Sequence, residues 1–319
     1  MPQNTDSYRL PRTVVPSRYD LRLEPDLDAA NFSGSISIHV EVTQQVDEIL
    51  LNAAELEIKS AVIEDSYGNR TPITDISLDE KTERARFTLA AAVQPGIYQL
   101  RVAFTGILND KLRGFYRSIF KDEDGTDRVI ATTQFESTDA RRAFPCFDEP
   151  DFKAVFAVTL IAPEDQFAVS NGPIVEELLL GEGQRKIVFG DTIKMSTYLV
   201  AFIVGPFEAT EPVKVDGVPL RIVHPIGKRH LAGYALEVGA FALRYFSEYY
   251  GIPYPDRKLD MVAVPDFASG AMENLGCITY REVLLLVDKK RATQPELIRI
   301  ADVIAHEIAH MWFGGLVTM

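Results

Sequence analysis

The chain has 319 residues, 46% of them hydrophobic, which is long enough for two domains with sizeable cores. Its formal net charge of −13 argues against binding to nucleic acid or to an anionic membrane, and it is compatible with partners that carry a positive charge. No stretch reaches the ~18 uninterrupted apolar residues that a membrane-spanning helix needs.

The N-terminus and the cysteines indicate a compartment. Residues 1–7 contain no basic start followed by an apolar segment, so the sequence predicts no signal peptide. The only two cysteines, Cys146 and Cys277, do not form a disulfide framework. We therefore expect a cytoplasmic protein.

Up to about residue 207 the sequence predicts only strands. Short runs of alternating apolar and polar residues occupy 32–42, 97–104 and 152–161. Turn signals such as Gly68-Asn69 and Pro95-Gly96 separate them. This pattern is typical of a β-sandwich.

The pattern changes near Gly205-Pro206, after which strands alternate with helices. Segments 219–223 and 259–264 are predicted strands. An amphipathic helix is predicted from Leu231 to Tyr249, ending at Gly251, and we expect its aromatic stripe to pack in the core.

A second helix carries the pattern His-Glu-x-x-His. Thr293 and Glu296 form a predicted capping box at its start. His306 and His310 are four residues apart and therefore lie on one helical face, where they can share one metal ion. Glu307 lies beside them and can reach a water on that metal, an arrangement suited to amide hydrolysis. They could instead be ordinary core histidines, but a chain with only five histidines makes a chance match at this spacing rare.

Two further segments complete the motif set. Gly270-Ala271-Met272-Glu273-Asn274 follows the predicted strand 259–264, and the segment 133–150 contains Gln134 and Glu136. Together with the helix that carries His-Glu-x-x-His, these segments resemble the GAMEN-motif zinc aminopeptidases of the gluzincin family. That family includes the endoplasmic-reticulum and puromycin-sensitive aminopeptidases.

The resemblance implies a multi-domain fold. Residues 1–207 would form an N-terminal all-β, saddle-like sandwich, and residues 208–319 the α+β start of a thermolysin-like catalytic domain. The third zinc ligand and the tyrosine that stabilises the oxyanion in the family both lie beyond Met319. We therefore expect the catalytic domain to be incomplete, and the apolar residues Met311, Trp312 and Phe313 to lack the helices that cover them in the family.

The resemblance also assigns roles. His306 and His310 would bind one Zn²⁺, and Glu307 would be the general base. Glu136 and Glu273 would bind the α-ammonium of a peptide with a free N-terminus, the expected partner. Gln134 would line the pocket for the first side chain, and the other motif residues would contact the substrate, namely Gly270, Ala271, Met272 and Asn274. The sequence does not indicate an oligomeric state.

Two alternatives to a zinc aminopeptidase remain open. The chain as given could be an inactive fragment, or a peptide-binding or structural module that lacks the third zinc ligand. A third function, epoxide hydrolysis as in leukotriene hydrolase, is less favoured because the segment around Phe135 and Glu136 differs from the pattern of that enzyme.

Overall fold

The computed structural model describes residues 9–122 and 124–319. The segment 1–8, on which the expectation of no signal peptide depends, lies outside the described residues. Within the described residues, no helix is long and apolar enough to cross a membrane.

The first half of the chain, here called the N-terminal region (residues 9–205), is built from two β-sheets. Its strands are β1 (Val14–Asp26), β2 (Asn31–Val42), β3 (Val46–Asn52), β4 (Leu56–Asp65), β5 (Arg70–Asp79), β6 (Arg84–Val93), β7 (Gly96–Ile107), β8 (Gly114–Lys121), β9 (Asp127–Gln134), β10 (Val155–Pro163), β11 (Phe167–Ser170), β12 (Ile174–Gly181), β13 (Gln184–Phe189) and β14 (Phe202–Gly205). One sheet has ten strands in the order β12-β13-β10-β1-β2-β7-β4-β5-β6-β3, and the other has four in the order β11-β14-β9-β8.

Strand β2 shows why this sequence forms half-buried strands. Its inward side chains, including Phe32, Ile38 and Val40, alternate with more exposed residues along its length. In the antiparallel register with β7, Phe32 lies opposite Gly106 and Gly34 lies opposite Phe104. A Cβ on Gly106 would lie 2.3 Å from the Phe32 ring, so each phenylalanine requires the glycine across from it.

The remainder of the described chain, here called the C-terminal region (residues 207–319), combines one sheet with two helices. Its elements are β15 (Phe207–Ala209), β16 (Val213–Val215), β17 (Val218–Pro225), α1 (Gly233–Tyr250), β18 (Leu259–Val264), β19 (Ala271–Met272), β20 (Cys277–Arg281) and α2 (Gln294–Ala309). The sheet order is β15-β17-β18-β20-β19, with β16 paired to β17. Strand β18 is buried along its whole length between two parallel neighbours, and Asp260 is the one charged residue in its otherwise apolar sequence.

These elements confirm the expected fold class, an N-terminal β region followed by the α+β start of a second domain. The change of sheet falls between Gly205 and Phe207. The domain bounds 1–207 and 208–319 remain predictions.

The aromatic stripe of α1 does not pack in the core as predicted. The helix does end where expected, at Gly251, whose φ of 64° is the left-handed conformation that glycine adopts readily. However, Phe241, Tyr245 and Tyr249 are exposed and stack on one another along the helix surface. The buried contacts come instead from smaller residues such as Ala242.

The expectation that the residues after α2 would be uncovered is wrong for two of the three. Met311 and Trp312 are buried, and the Trp312 indole N–H donates to the carbonyl of Ile252 at 2.9 Å. The Trp312 ring packs against Tyr250 of α1. Phe313 is exposed, as expected.

The two regions meet at a polar contact, here called the seam, formed by Ser170, Asn171, Lys258, Leu275 and Gly276. The Lys258 ammonium donates to the carbonyls of Ser170 at 2.8 Å and of Gly276 at 2.7 Å. The Asn171 side chain donates to the carbonyl of Leu275 at 2.8 Å. The seam therefore fixes the loop after β19 against the N-terminal region.

Asp260 of β18 neutralises the seam lysine. It is buried, and it accepts hydrogen bonds from Lys258 at 2.8 Å and from Arg221 at 2.6 Å. Removing this carboxylate would leave two cations without a counter-charge.

We predict that Asp260→Asn lowers the free energy of unfolding by about 3 kcal/mol, because it breaks a buried ion pair from one side. Chemical denaturation would measure the change. The matched control is Glu237→Gln, whose exposed pair with Lys289 should contribute less than about 1 kcal/mol. Equal losses in the two variants would contradict the prediction.

The same pair predicts a pH dependence. Burial by itself raises the pKa of Asp260, but Lys258 and Arg221 outweigh burial and hold the pKa below its usual value. A carboxyl of this kind stabilises the protein above its unfolded pKa of about 3.9, and the contribution is lost as pH falls through the folded pKa. The stability difference between wild type and Asp260→Asn should therefore shrink below about pH 4.

Candidate active site

The side chains of His306, in helix α2, and of His310, at the C-terminal cap of α2, approach each other. Its capping box forms as predicted, with the Thr293 backbone N–H donating to Glu296 at 2.7 Å. One turn apart near the other end, His306 and His310 bring their Nε2 atoms within 3.1 Å of each other. Two nitrogen ligands at ~2.0–2.1 Å from one tetrahedral zinc lie roughly 3.3 Å apart. The spacing of the two Nε2 atoms therefore fits a shared zinc ion.

The second nitrogen of His310 supports the same interpretation. Its Nδ1 lies 2.8 Å from the carbonyl oxygen of Phe313, to which it can only donate. The ring proton is thus on Nδ1, which leaves the Nε2 lone pair free for a metal.

His306 and His310 are the candidate metal ligands among the described residues. Among the described residues, no group of three histidine, cysteine, aspartate or glutamate side chains is arranged to hold a metal.

Glu307 lies on the same helix and is buried. Burial, followed by the negative charges of Glu273 and Glu136, raises its pKa to about 8. Burial, followed by the Glu307 charge, also raises the pKa of Tyr280. Glu307 can therefore hold or release a proton near neutral pH.

Glu273 follows the edge strand β19 and is nearly buried. Its carboxylate oxygen Oε1 lies 3.9 Å from Nδ1 of His310, which places the motif beside the histidine pair. Asn274, the next residue, is fully buried, donates to the carbonyl of Val200 at 3.3 Å and accepts from Thr279 at 3.2 Å. Asn274 therefore anchors the loop that carries Glu273.

The remaining residues of the 270–274 motif differ in how exposed they are. Gly270 and Ala271 are half-buried, so their backbone is accessible, whereas Met272 is fully buried in the core. The backbone N–H of Arg281 donates to the Gly270 carbonyl at 2.9 Å, and its side chain donates to Phe267 and Ser269 carbonyls at 3.1 Å each. Arg281 thus holds the loop that leads into the motif.

Glu136 comes from the N-terminal region, just after β9, and its side chain is exposed. Burial of part of the group, followed by the charge of Glu273, raises its pKa, while His310 opposes the shift. The charges of Glu273 and His310 thus act on Glu136, although the three residues come from three separate segments. Gln134 is buried at the end of β9, and its Oε1 has no hydrogen-bond partner in the part of the chain that the structure describes.

Sequence reasoning missed the residues that bring these segments together. Asn171 and Lys258 form the seam described above, and burial, followed by the charges of Glu273 and Glu136, raises the pKa of Tyr198 to about 12. No motif or spacing marks any of the three, because each acts through contacts between distant parts of the chain.

Two protein families match the chain. Residues 15–199 match the Peptidase M1 N-terminal domain, and residues 234–319 match the Peptidase family M1 domain. The second match contains the histidine pair, Glu307 and Glu273.

Individual relatives agree with these matches. Aminopeptidase M1-A of Oryza sativa subsp. japonica is 46% identical over 317 residues, which is 98% of this chain and 36% of the relative. Puromycin-sensitive aminopeptidase of Caenorhabditis elegans is 42% identical over 312 residues, covering 98% of this chain and 33% of the relative. Endoplasmic reticulum aminopeptidase 1 of Homo sapiens is 38% identical over 314 residues, covering 98% of this chain and 33% of the relative.

The chain thus spans about a third of the length of the curated relatives that it matches. Within that span the N-terminal match alone, residues 15–199, covers more than half of the residues. The chain therefore belongs to the peptidase M1 family.

Proposed function

We propose that the protein carrying this chain is a zinc-dependent aminopeptidase that removes the first residue of peptides. The observation that carries the proposal is the convergence of His306 and His310 beside Glu307, with Glu273 next to His310. The aminopeptidase names of the relatives support it. The cytoplasmic location remains a prediction; both cysteines are free and buried, which is compatible with a reducing compartment.

Zinc would be held by the Nε2 atoms of His306 and His310 together with a ligand from outside these residues. When bound, such an ion lowers the pKa of a coordinated water and polarises a carbonyl group.

Glu307 would act as the general base and then the general acid. A base works best when its pKa lies near the working pH. Burial, followed by the charges of Glu273 and Glu136, raises the pKa of Glu307 toward that range. Its carboxylate would accept a proton from the attacking water and deliver it to the nitrogen of the leaving amine.

Glu273 and Glu136 would select the free N-terminus. Their carboxylates lie in one acidic cluster with Glu307, and an α-ammonium would pair with them in charge-assisted hydrogen bonds. An acetylated or internal peptide would leave these charges without a partner, which costs several kcal/mol where the charge is buried, as that of Glu273 is. The cluster therefore favours exopeptidase over endopeptidase cleavage.

The substrate backbone would lie along β19. This strand ends the sheet order, so one of its edges is free to pair with an extended peptide. Gly270 and Ala271 allow a close approach because they have little or no side chain. Gln134, with its unpaired Oε1, would line the pocket for the first side chain.

We predict that Glu307→Gln keeps zinc but lowers turnover by about 10²- to 10⁴-fold, because an amide cannot accept the proton. The measurement is zinc content together with hydrolysis of an aminoacyl anilide, in a form of the protein whose zinc site is complete. Asp302→Asn, an exposed position on the same helix, is the matched control and should keep full turnover. A near wild-type rate in Glu307→Gln would remove this residue from the mechanism.

For the ammonium site, we predict that Glu273→Ala or Glu136→Ala weakens transition-state binding by ~2–5 kcal/mol, as for loss of one partner of a close charge pair. Peptides with an acetylated N-terminus should not be cleaved by the wild type. The comparison of kcat/KM for acetylated and free peptides tests this directly. If both are cleaved at the same rate, the carboxylates do not recognise the ammonium.

The alternative is a peptide-binding module without turnover, and the observation that favours it is the presence of only two metal ligands in the described residues. Because a catalytic zinc normally has three protein ligands, we predict that the 319-residue chain by itself binds zinc weakly. Calorimetric titration measures this affinity, with His310→Ala as the variant that should abolish it. Tight 1:1 binding by the wild-type chain would show that another acid completes the site.

A further inference from the structure

The loop between β18 and β19, here called the 266–270 loop, leads directly into the strand along which the substrate backbone would lie. It ends at Gly270, the residue before β19. Three of its residues are exposed, namely Asp266, Ala268 and Ser269. An exposed loop keeps one conformation only where other parts of the protein hold its backbone.

Two residues from different regions hold the carbonyl groups of this loop. Arg281 of β20 donates hydrogen bonds to four of them, those of Phe267, Ala268, Ser269 and Gly270. The Tyr116 hydroxyl of β8 donates to the fifth, the carbonyl of Asp266, at 2.8 Å. Every carbonyl group of the 266–270 loop therefore accepts a hydrogen bond.

Tyr116 links the loop to the N-terminal region. Its side chain is fully buried, and burial, followed by the charge of Asp266, raises the pKa of its hydroxyl, which stays protonated and can donate. Ser118, two residues further along β8, donates to the Asp266 carboxylate at 3.2 Å. Arg281 holds the loop within the C-terminal region, whereas Tyr116 and Ser118 fix its position relative to the N-terminal region.

The sheet that contains Tyr116 also leads to one carboxylate of the proposed ammonium site. Strand β8 pairs with β9, where Tyr116 lies opposite Thr132, and Glu136 follows β9. Glu273 comes after β19 and the 266–270 loop comes before it. A peptide whose first residue binds near Glu136 and Glu273 would therefore extend along β19 towards the loop.

We propose that Tyr116 is a positioning residue for the part of the substrate that follows its first residue. Its hydrogen bond to Asp266 holds the 266–270 loop, and with it Gly270, at the end of β19 where the second and third substrate residues pair with the strand edge. The inference rests on the proposed function and deepens it, because Tyr116 acts on the same site through the loop and does not contact the substrate.

Binding to the 319-residue chain tests this without added metal, because all the residues concerned are present. One probe is L-leucinamide, which reaches only the ammonium site, and the other is L-leucyl-L-alanyl-L-alaninamide, which has the same free N-terminus and extends along β19. Ligand-detected NMR titration gives both affinities, and the wild type should bind the longer probe more tightly.

Tyr116→Phe should weaken binding of the longer probe by about fivefold, the effect of one hydrogen bond, because the released loop must then be ordered when the peptide binds. The affinity for L-leucinamide should stay unchanged. Ser118→Ala removes the second contact with Asp266 and should weaken the longer probe in the same selective way, which keeps the test available if Tyr116→Phe fails to fold.

The matched control is Tyr19→Phe. Tyr19 is also fully buried, and its hydroxyl accepts the Phe147 N–H at 3.2 Å, a hydrogen bond within the N-terminal region. Both tyrosine variants lose one buried hydrogen bond and should melt at a lower temperature than the wild type. Tyr19→Phe should nevertheless bind both probes like the wild type, so that lower stability alone does not account for a selective loss.

The outcomes separate this inference from the proposed function. If Tyr116→Phe binds both probes like the wild type, or loses both equally, the inference is overturned and the ammonium site stands. If the wild type binds the two probes equally tightly, the substrate does not extend along β19 and the inference is again overturned. If Glu273→Ala leaves L-leucinamide binding unchanged, the ammonium site itself is wrong, and the inference is overturned with it.

Discussion

The repulsion between carboxylates is the constraint on which the candidate site depends. Glu136, Glu273 and Glu307 are close enough that the two others raise the pKa of Glu307, in addition to burial. Like charges separate unless the backbone that carries them is held, and the seam holds the loop that carries Glu273. Lys258 and Asn171 act as donors to main-chain carbonyls on both sides, so they join the two regions without using the carboxylates themselves.

Elements with strong local signals could be predicted from the sequence. The capping box of α2 depends on Thr293 and Glu296, three residues apart, and the end of α1 depends on the left-handed conformation of Gly251. The alternation of buried and more exposed residues along β2 can likewise be recognised from neighbouring residues alone. The spacing of His306 and His310 predicts their common face from helix geometry alone, and the structure brings their Nε2 atoms together. Each of these inferences needs only residues within one or two turns.

Features that depend on distant contacts could not be predicted. Tyr198 and Asn171 are ordinary residues in the sequence, and only the meeting of two sheets places them near Glu273. Burial was misjudged for a similar reason. The aromatic stripe of α1 was expected in the core, but Tyr245 is exposed because smaller residues make the buried contacts. Trp312 was expected to lack cover, yet α1 of the same chain covers it.

The residues proposed for metal binding and proton transfer all come from the C-terminal region, whereas those proposed to recognise the ammonium come from both regions. The residues proposed for proton transfer and metal binding lie on α2 and at its C-terminal cap, His310. The residues proposed to recognise the ammonium come from both regions, since Glu136 follows β9 and Glu273 follows β19. A small displacement between the regions changes the separation of Glu136 and Glu273 but leaves His306 and His310 in place. A substitution at Asn171 or Lys258 should therefore impair the proposed recognition of the N-terminus more than it disturbs the geometry of His306 and His310.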